Sequence, residues 1–349
     1  MKRFYFSLIL LSLLFMACQK KSQEVIEEPT PEMPALSGPQ WNLLEDASHL
    51  AKAYSSIVRL NIDHQDQLWI GSDYRGDDGL WRKGLWNFNG STWQFIQQIE
   101  EHFPHASFIE KIAFDHNNQL WFGMDHELVQ FDGSQLNRHH LPVNLENGKL
   151  QVLKRTADGS LWMSIYNHLL RHHDGTWENY ELPQEVVDIH AFEVSLNGIW
   201  LGTNSGVFLL ENGMVDSVNE GVNSEGELIT IEEVQDIVYL EGKGTFFATS
   251  TGLIQQKDGI WQKWNSNNSL LATDAIHSLA IDQDQELWIG NQDGLYHFAL
   301  EDAQLTFFEP PIIEHCIACK PKALDIAVDS ENRKWLLSDD NMIFILEIF

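Results

Sequence analysis

The chain has 349 residues, 43% of them hydrophobic, with 13 Trp and 19 Phe, enough apolar mass for a large core and too much for a disordered chain. Its 51 Asp and Glu outnumber 22 Lys and Arg, for a net charge of −29. A phosphate-tracking surface would form against the protein's own field, so nucleic acid is excluded as a natural partner.

The first elements in chain order are targeting signals. MKR supplies a positive start, and the apolar run from Phe4 to Met16 is about 13 residues long, short of a comfortable bilayer span. This predicts export. The run ends in Phe15-Met16-Ala17-Cys18, which resembles the lipobox of bacterial lipoproteins, where the Cys becomes the lipid-bearing first residue; Phe15 stands where Leu is usual. Residues 1–18 are thus expected to be a lipoprotein signal with Cys18 as the lipidation site, and an ordinary secretory signal is the alternative. Residues 19–38, QKKSQEVIEEPTPEMPALSG, hold too few large apolar groups to offset the entropy of ordering. They read as a tether.

From residue 39 onward the chain repeats itself. QLWIGS around Trp69, QLWFGM around Trp121, SLWMSI around Trp162, GIWLGT around Trp200, TFFATS around Phe246, ELWIGN around Trp288 and RKWLLS around Trp335 place an aromatic residue every 38 to 52 positions. That period, with short strands and Gly-marked turns, is the signature of a β-propeller blade. A helical solenoid is disfavoured because IVRLNID and HSLAID alternate with period two. The first copy parses into strands at 57–62, 68–71, 85–88 and 92–96. Asn89-Gly90, Asp132-Gly133, Asp174-Gly175, Asn212-Gly213 and Asp258-Gly259 fall where the third strand folds back onto the fourth, and such pairs suit tight type I′ turns. Trp93, Trp177 and Trp261 follow as outer-strand aromatics expected to pack between blades. After RKWLLS only NMIFILEIF remains, enough for a third strand and no fourth. The stretch from Trp41 to Leu44 is expected to supply the missing one, leaving no open sheet edge. The prediction is an all-β, seven-bladed propeller over 39–349, closed by an N-terminal strand.

The D-x-x-x-x-L-W-I-G-T/S/N core, followed by a Gly-apolar pair, resembles the two-component-regulator propeller repeat. Repeats one, two, four and six carry it best; the fifth has Phe246 for Trp, and the seventh lacks the Leu and both Gly. The resemblance implies a periplasmic sensor-type propeller, here without the kinase that such domains serve in bacterial signalling proteins.

In a propeller the first strand of each blade lines the central channel, with alternate residues facing it. Counting four back from the Asp that ends this strand, or its equivalent, selects Arg59, Lys111, Asp236, Ser278 and Asp325. Blades three and four are ambiguous by one or two residues, so Lys154 and His190 stay unassigned. A water-filled channel accounts for polar walls; a basic side in blades one and two facing an acidic side in five and seven would orient a polar ligand. Chain direction puts the Asp-led turns and the Asn/Asp-Gly turns on one side of the disc. The opposite face holds the candidate ligand-binding set: Arg59, Lys111, Tyr74, Arg75, Trp81, His126, Tyr166, His168 and Asp293. There DYRGDDGLWRKG inserts about ten residues whose rings and cations suit sugars or carboxylates, or else form a solvated flap.

Cys316 and Cys319 in EHCIACK are expected to form a local disulfide in an exported protein, since no other spaced ligands complete a metal site with His315. Catalytic signatures such as H-E-x-x-H, G-x-S-x-G or a phosphate-cradling Gly loop are absent from the sequence. DHQDQ, DHNNQ and DQDQE lack the Gly and distal Glu of a calcium loop and read as hairpins. The pairs His139-His140 and His172-His173 are expected to be solvated. The resulting expectation is a monomeric, exported, lipid-anchored propeller at the periplasmic or outer side of a bacterial membrane. It would bind a small molecule, such as a sugar or carboxylate, or a protein, with no cofactor, metal or nucleic acid. A propeller lyase or hydrolase is the alternative.

Overall fold

The repeated Leu-Trp pair, or the Ile199-Trp200, Thr245-Phe246 and Lys334-Trp335 that replace it, marks the second strand of each sheet. The computed structural model describes residues 39–44, 60–75, 81–103, 109–124, 127–143, 150–186, 188–311, 321–339 and 342–348. Among them, seven four-stranded antiparallel sheets follow one another along the chain. Blade one comprises Asn61–Ile62, Leu68–Arg75, Trp81–Phe88 and Trp93–Phe95. The last blade takes Ala323–Val328, Lys334–Ser338 and Ile343–Glu347 from the C-terminal end and Gln40–Leu43 as its outer strand, with Trp41 opposite Leu346. The Trp41 ring sits edge-on to Phe344 at 6.3 Å.

The core is divided. Seven apolar clusters occur among the described residues, each shared by two neighbouring blades. Trp93, Trp177 and Trp261 belong to these layers, and the repeat's Gly follows from them. A Cβ on Gly123 would lie 2.3 Å from Leu150 of the next blade, and one on Gly202 would lie 2.6 Å from Val234. Blades can approach this closely only where the second strand is stripped of its side chain.

The Asp and Trp of the repeat act as a pair. In blade one Asp63 accepts hydrogen bonds from the amides of Gln65 and Gln67 through one oxygen, and from the Trp69 indole at 3.0 Å through the other. Asp115 does the same for Asn117, Gln119 and Trp121, Asp282 for Asp284, Glu286 and Trp288, and Asp329 for Glu331, Arg333 and Trp335. These acidic turns are therefore hairpins whose carboxylates are engaged internally. Blades three and four carry Thr156 and Ser195 at the Asp position, and there the buried indole nitrogens of Trp162 and Trp200 have no hydrogen-bond partner. Blade five pairs Leu240 with Phe246, and both polar halves of the motif are gone. Blade seven puts Lys334 in the Leu position; it is buried, reaches Asp282 of blade six at 3.1 Å and lies over the Trp288 ring.

Two expectations need correction. First, Asp174, Asn212 and Asp258 adopt positive φ with the Gly after them, as a type I′ turn requires, but Asn89 and Asp132 do not. Those two loops run four residues, because the Asn89 and Asp132 side chains accept the amides two and three positions on. Second, DYRGDDGLWRKG is not wholly a loop: strands two and three of blade one extend to Arg75 and from Trp81, with Tyr74 opposite Arg82 and Arg75 opposite Trp81. The connection between blades four and five also has structure of its own, a hairpin of Glu220–Val222 and Leu228–Thr230. Gly221 of that hairpin lies flat against the Trp261 indole.

Candidate functional site

Alternation along the inner strands turns every second residue toward the axis, but those of blades two to seven each carry an irregularity near their start, in blade two between Ile109 and Ile112. Pairing skips between Leu150 and Val152, Ile189 and Ala191, Val234 and Asp236, Ile276 and Ser278, and Ala323 and Asp325. A bulge leaves one residue unpaired and re-aims its neighbours. The channel it shapes has a cavity of ≈ 220 Å³ whose polar wall is Asn61, Lys111, Gln151, Lys154, His190, Asp236 and Asp325.

The acids of this wall hold the ring together. Asp236 accepts the amide of Ile237 in its own strand at 2.9 Å and that of Leu279 in blade six at 2.9 Å. Asp325 of blade seven accepts the Leu60 amide of blade one at 2.8 Å. Ser278, at the equivalent place in blade six, does not line the cavity. It is buried against Gly290, and its hydroxyl has no partner, because a Ser is too short to reach the next blade. On the opposite side Lys154 pairs with Glu193 of blade four, and His190 shares a hydrogen bond with Asn204 at 2.7 Å.

Of the sequence-selected residues, Lys111 lines the channel. Tyr166 is exposed, with a positive φ of 52°, in a two-residue turn with Asn167. His168 meets Asn179 of its own blade's outer strand at 3.1 Å. Asp293 accepts the Thr273 hydroxyl at 2.8 Å, which ties it to the loop before blade six. Tyr166 and His168 thus share one turn of blade three, whereas Asp293 belongs to blade six. Tyr74, Arg75 and Trp81 lie on the extended blade-one hairpin. Arg59, His126, Cys316, Cys319 and Cys18 fall outside the described residues.

Sequence reasoning left Lys154 and His190 unassigned, and the structure brings both to the wall. The signal was present for Lys154. Thr156 occupies the Asp position of its turn, as the Gly159 amide bonding back to the Thr156 carbonyl shows; counting from it puts Val152 and Lys154 on the channel side. His190 is the bulged residue itself, and nothing in the sequence marks a bulge.

No family model matches the chain, and no curated protein sequence does either. Solved structures do match. Virginiamycin B lyase from Staphylococcus aureus superposes with a TM-score of 0.58 at 12% identity, over 89% of this chain and 99% of that one. PorZ, a surface component of the type-IX secretion system of Porphyromonas gingivalis, gives a TM-score of 0.64 at 13% identity, over 83% of this chain and 46% of that one. An extracellular domain assigned to a hybrid two component system of B. thetaiotaomicron matches over 83% of this chain and 56% of its own, at 14% identity and a TM-score of 0.36. At such identities the likeness is one of architecture, and by fold the chain is a seven-bladed β-propeller.

Proposed function

We propose that the protein is an exported, lipid-anchored propeller that binds a small anionic ligand at the mouth of its channel. The sidedness of the channel carries this reading: Lys111, Lys154 and His190 come from blades two to four, while Asp236 and Asp325 come from blades five and seven. Both acids already accept backbone amides, so a ligand carboxylate would be drawn to the lysine side, where charge-assisted hydrogen bonds are the stronger kind. The net charge of −29 repels polyanions and favours a small ligand. The extended hairpin bearing Tyr74, Arg75 and Trp81 belongs to the same face. Cys18 would supply the anchor, and the likeness in fold to PorZ, a bacterial surface component, supports that location.

Calorimetric titration of succinate, citrate and galacturonate tests the site. A Lys111→Gln, Lys154→Gln double variant should lose at least about tenfold in affinity for whichever acid binds. Undiminished affinity would sink the channel reading, and loss in an Arg75→Ala, Trp81→Ala variant instead would move the site to the hairpin. Binding of none of the acids would favour a protein partner. Cys18→Ser should shift the protein out of the membrane fraction, and unchanged fractionation would end the lipoprotein claim. The full-length likeness in fold to a lyase supports a second reading. Conversion of a bound ligand to an unsaturated product would replace binding by catalysis.

A further inference from the structure

The Asp-led turns are sewn to one another along part of the ring. In four of the Asp-led turns the fourth residue is left-handed, with φ of 57° at Asp66, 61° at Asn118, 63° at Gln285 and 63° at Asn332, and at Asp66, Asn118 and Asn332 its side chain reaches the previous blade. Asn118 accepts the His64 amide at 2.9 Å, Asp66 accepts the Ser330 amide at 2.8 Å and also the Ser330 hydroxyl, and Asn332 accepts the Gln283 amide at 3.0 Å. In blade three this residue is Gly159, with φ of 82° and no side chain to reach back. A cleft of ≈ 580 Å³ opens there between blades two and three, within the range of small-ligand sites.

The walls of this cleft are aromatic and polar but not cationic. The Trp121, His139 and His172 rings meet in a triangle, with His139 and His172 at 4.3 Å and 5.3 Å from Trp121 and 6.4 Å from each other, and Trp177 packs on His172 at 4.6 Å. These imidazoles, expected to be solvated, are half-buried in a cluster of rings. Burial pushes both below the ordinary imidazole value; His172 adds to this for His139, and His173 and His116 add to it for His172 against the opposing pull of Asp115. Burial thus favours the neutral form of both. One side of the cleft is an amide relay in which Gln130 donates to Gln119 while its carbonyl oxygen meets the His139 ring at 3.0 Å. The other side offers Asp158, His173 and Asp174, and neither Lys nor Arg is among the lining residues described.

This chemistry discriminates among ligands. An anion would find acids and no cation. A metal ion has no group of three ligands among the described residues. Asp115 is engaged by its own turn, and Asp158 by Arg171 at 2.8 Å, so a cation finds little free charge. A neutral sugar has apolar ring faces to stack on an indole or imidazole and hydroxyls to exchange with amides and carboxylates. We propose that the cleft between blades two and three binds a neutral saccharide of one or two rings, stacked at Trp177 and His172 and hydrogen-bonded by Gln130 and Asp158. The site is separate from the channel and stands or falls independently of it.

Gly159→Asn tests this by closing the cleft. Asn tolerates the left-handed region, and a Cβ there meets only His116, at 3.4 Å. The new side chain should then accept the His116 amide, as Asn118 accepts that of His64. The probes are maltose, cellobiose, lactose and N,N′-diacetylchitobiose at millimolar concentration. Binding is read by calorimetry and by the Trp177 indole N–H resonance, assigned with Trp177→Phe. At least one sugar should move that resonance in the wild type. Gly159→Asn should weaken it at least about tenfold while keeping or raising the unfolding midpoint. Gln130→Ala should weaken it severalfold, and Lys111→Gln, Lys154→Gln should leave it unchanged. The proposal is overturned if no sugar moves the resonance or if Gly159→Asn binds as the wild type does. Should Gly159→Asn fail to fold, unaltered binding by Gln130→Ala overturns it equally.

Discussion

Blades six, seven, one and two differ from blades three to five in how their turns are held. In the first group every Asp serves two backbone amides and a Trp indole, and all three junctions these blades form with one another are stitched by a left-handed Asn or Asp. In the second group the Asp has become Thr156, Ser195 or Leu240, the Trp162 and Trp200 indoles lack partners, and no such stitch is seen among the described residues. Where Asp and Trp are both present each satisfies a buried polar atom of the other, blades three and four keep the Trp without its acceptor, and blade five has lost both. The tied arc contains the joint where the two ends of the propeller chain meet, which local hydrogen bonding must secure because no covalent bond runs across it.

That contrast can be broken at several levels. The largest effect should come from deleting the chain through Leu44, which strips blade seven of its outer strand and uncovers Phe344 and Leu346; the protein should aggregate on expression. Deleting only residues 19–38 should leave it folded, and equal behaviour of the two in size-exclusion chromatography would count against the shared blade. Next, Asp115→Ala should cost about 3 kcal/mol in urea unfolding, since an indole and two amides lose their acceptor, whereas Thr156→Ala in the looser arc should cost about 1 kcal/mol. Similar losses would mean that the carboxylate contributes no more than the hydroxyl.

A finer test replaces the indole alone. Trp121→Phe strands Asp115 and should cost about 2 kcal/mol, but Trp162→Phe removes a nitrogen that has no partner and should cost under about 1 kcal/mol, as the native Phe246 in blade five suggests. Equal midpoints for the two would dissolve the pairing of Asp with Trp.

The smallest expected effect is a pH dependence at the seam between the two arcs. His139 and His172 both lie below the ordinary value of 6.5, so through the range beneath it the unfolded chain binds more protons than the folded one. Their contribution is fully present above that value and is lost as the pH falls through it. Thermal melts from pH 7 downward should therefore decline less steeply in His139→Gln, His172→Gln than in the wild type, and parallel curves would mean that the two rings do not respond to burial.

The propeller was legible because its signals are local and repeated. Leu287-Trp288-Ile289-Gly290 reads as a second strand without knowledge of any neighbour, and Asp258-Gly259 reads as a turn from its φ preferences alone. The candidate site was less legible. Lys111 was found by counting along one strand, but His190 sits on a bulge, and the partners of Asp236 and Asp325 belong to the next blade. His139 and His172, 33 positions apart, read as separate solvated pairs until blades two and three bring them to the same indole.

By itself the sequence determined the class of fold, the number of blades, the face on which each turn lies and which Trp would pack between sheets, because periodicity two and positive-φ residues act within a few positions of themselves. Tertiary structure alone decided which carboxylates are engaged, where the ring is sewn and where it gapes. A hydrogen bond from Leu60 to Asp325 spans 265 positions, and the gap at Gly159 exists only because another blade's His116 faces a residue that has nothing to offer it.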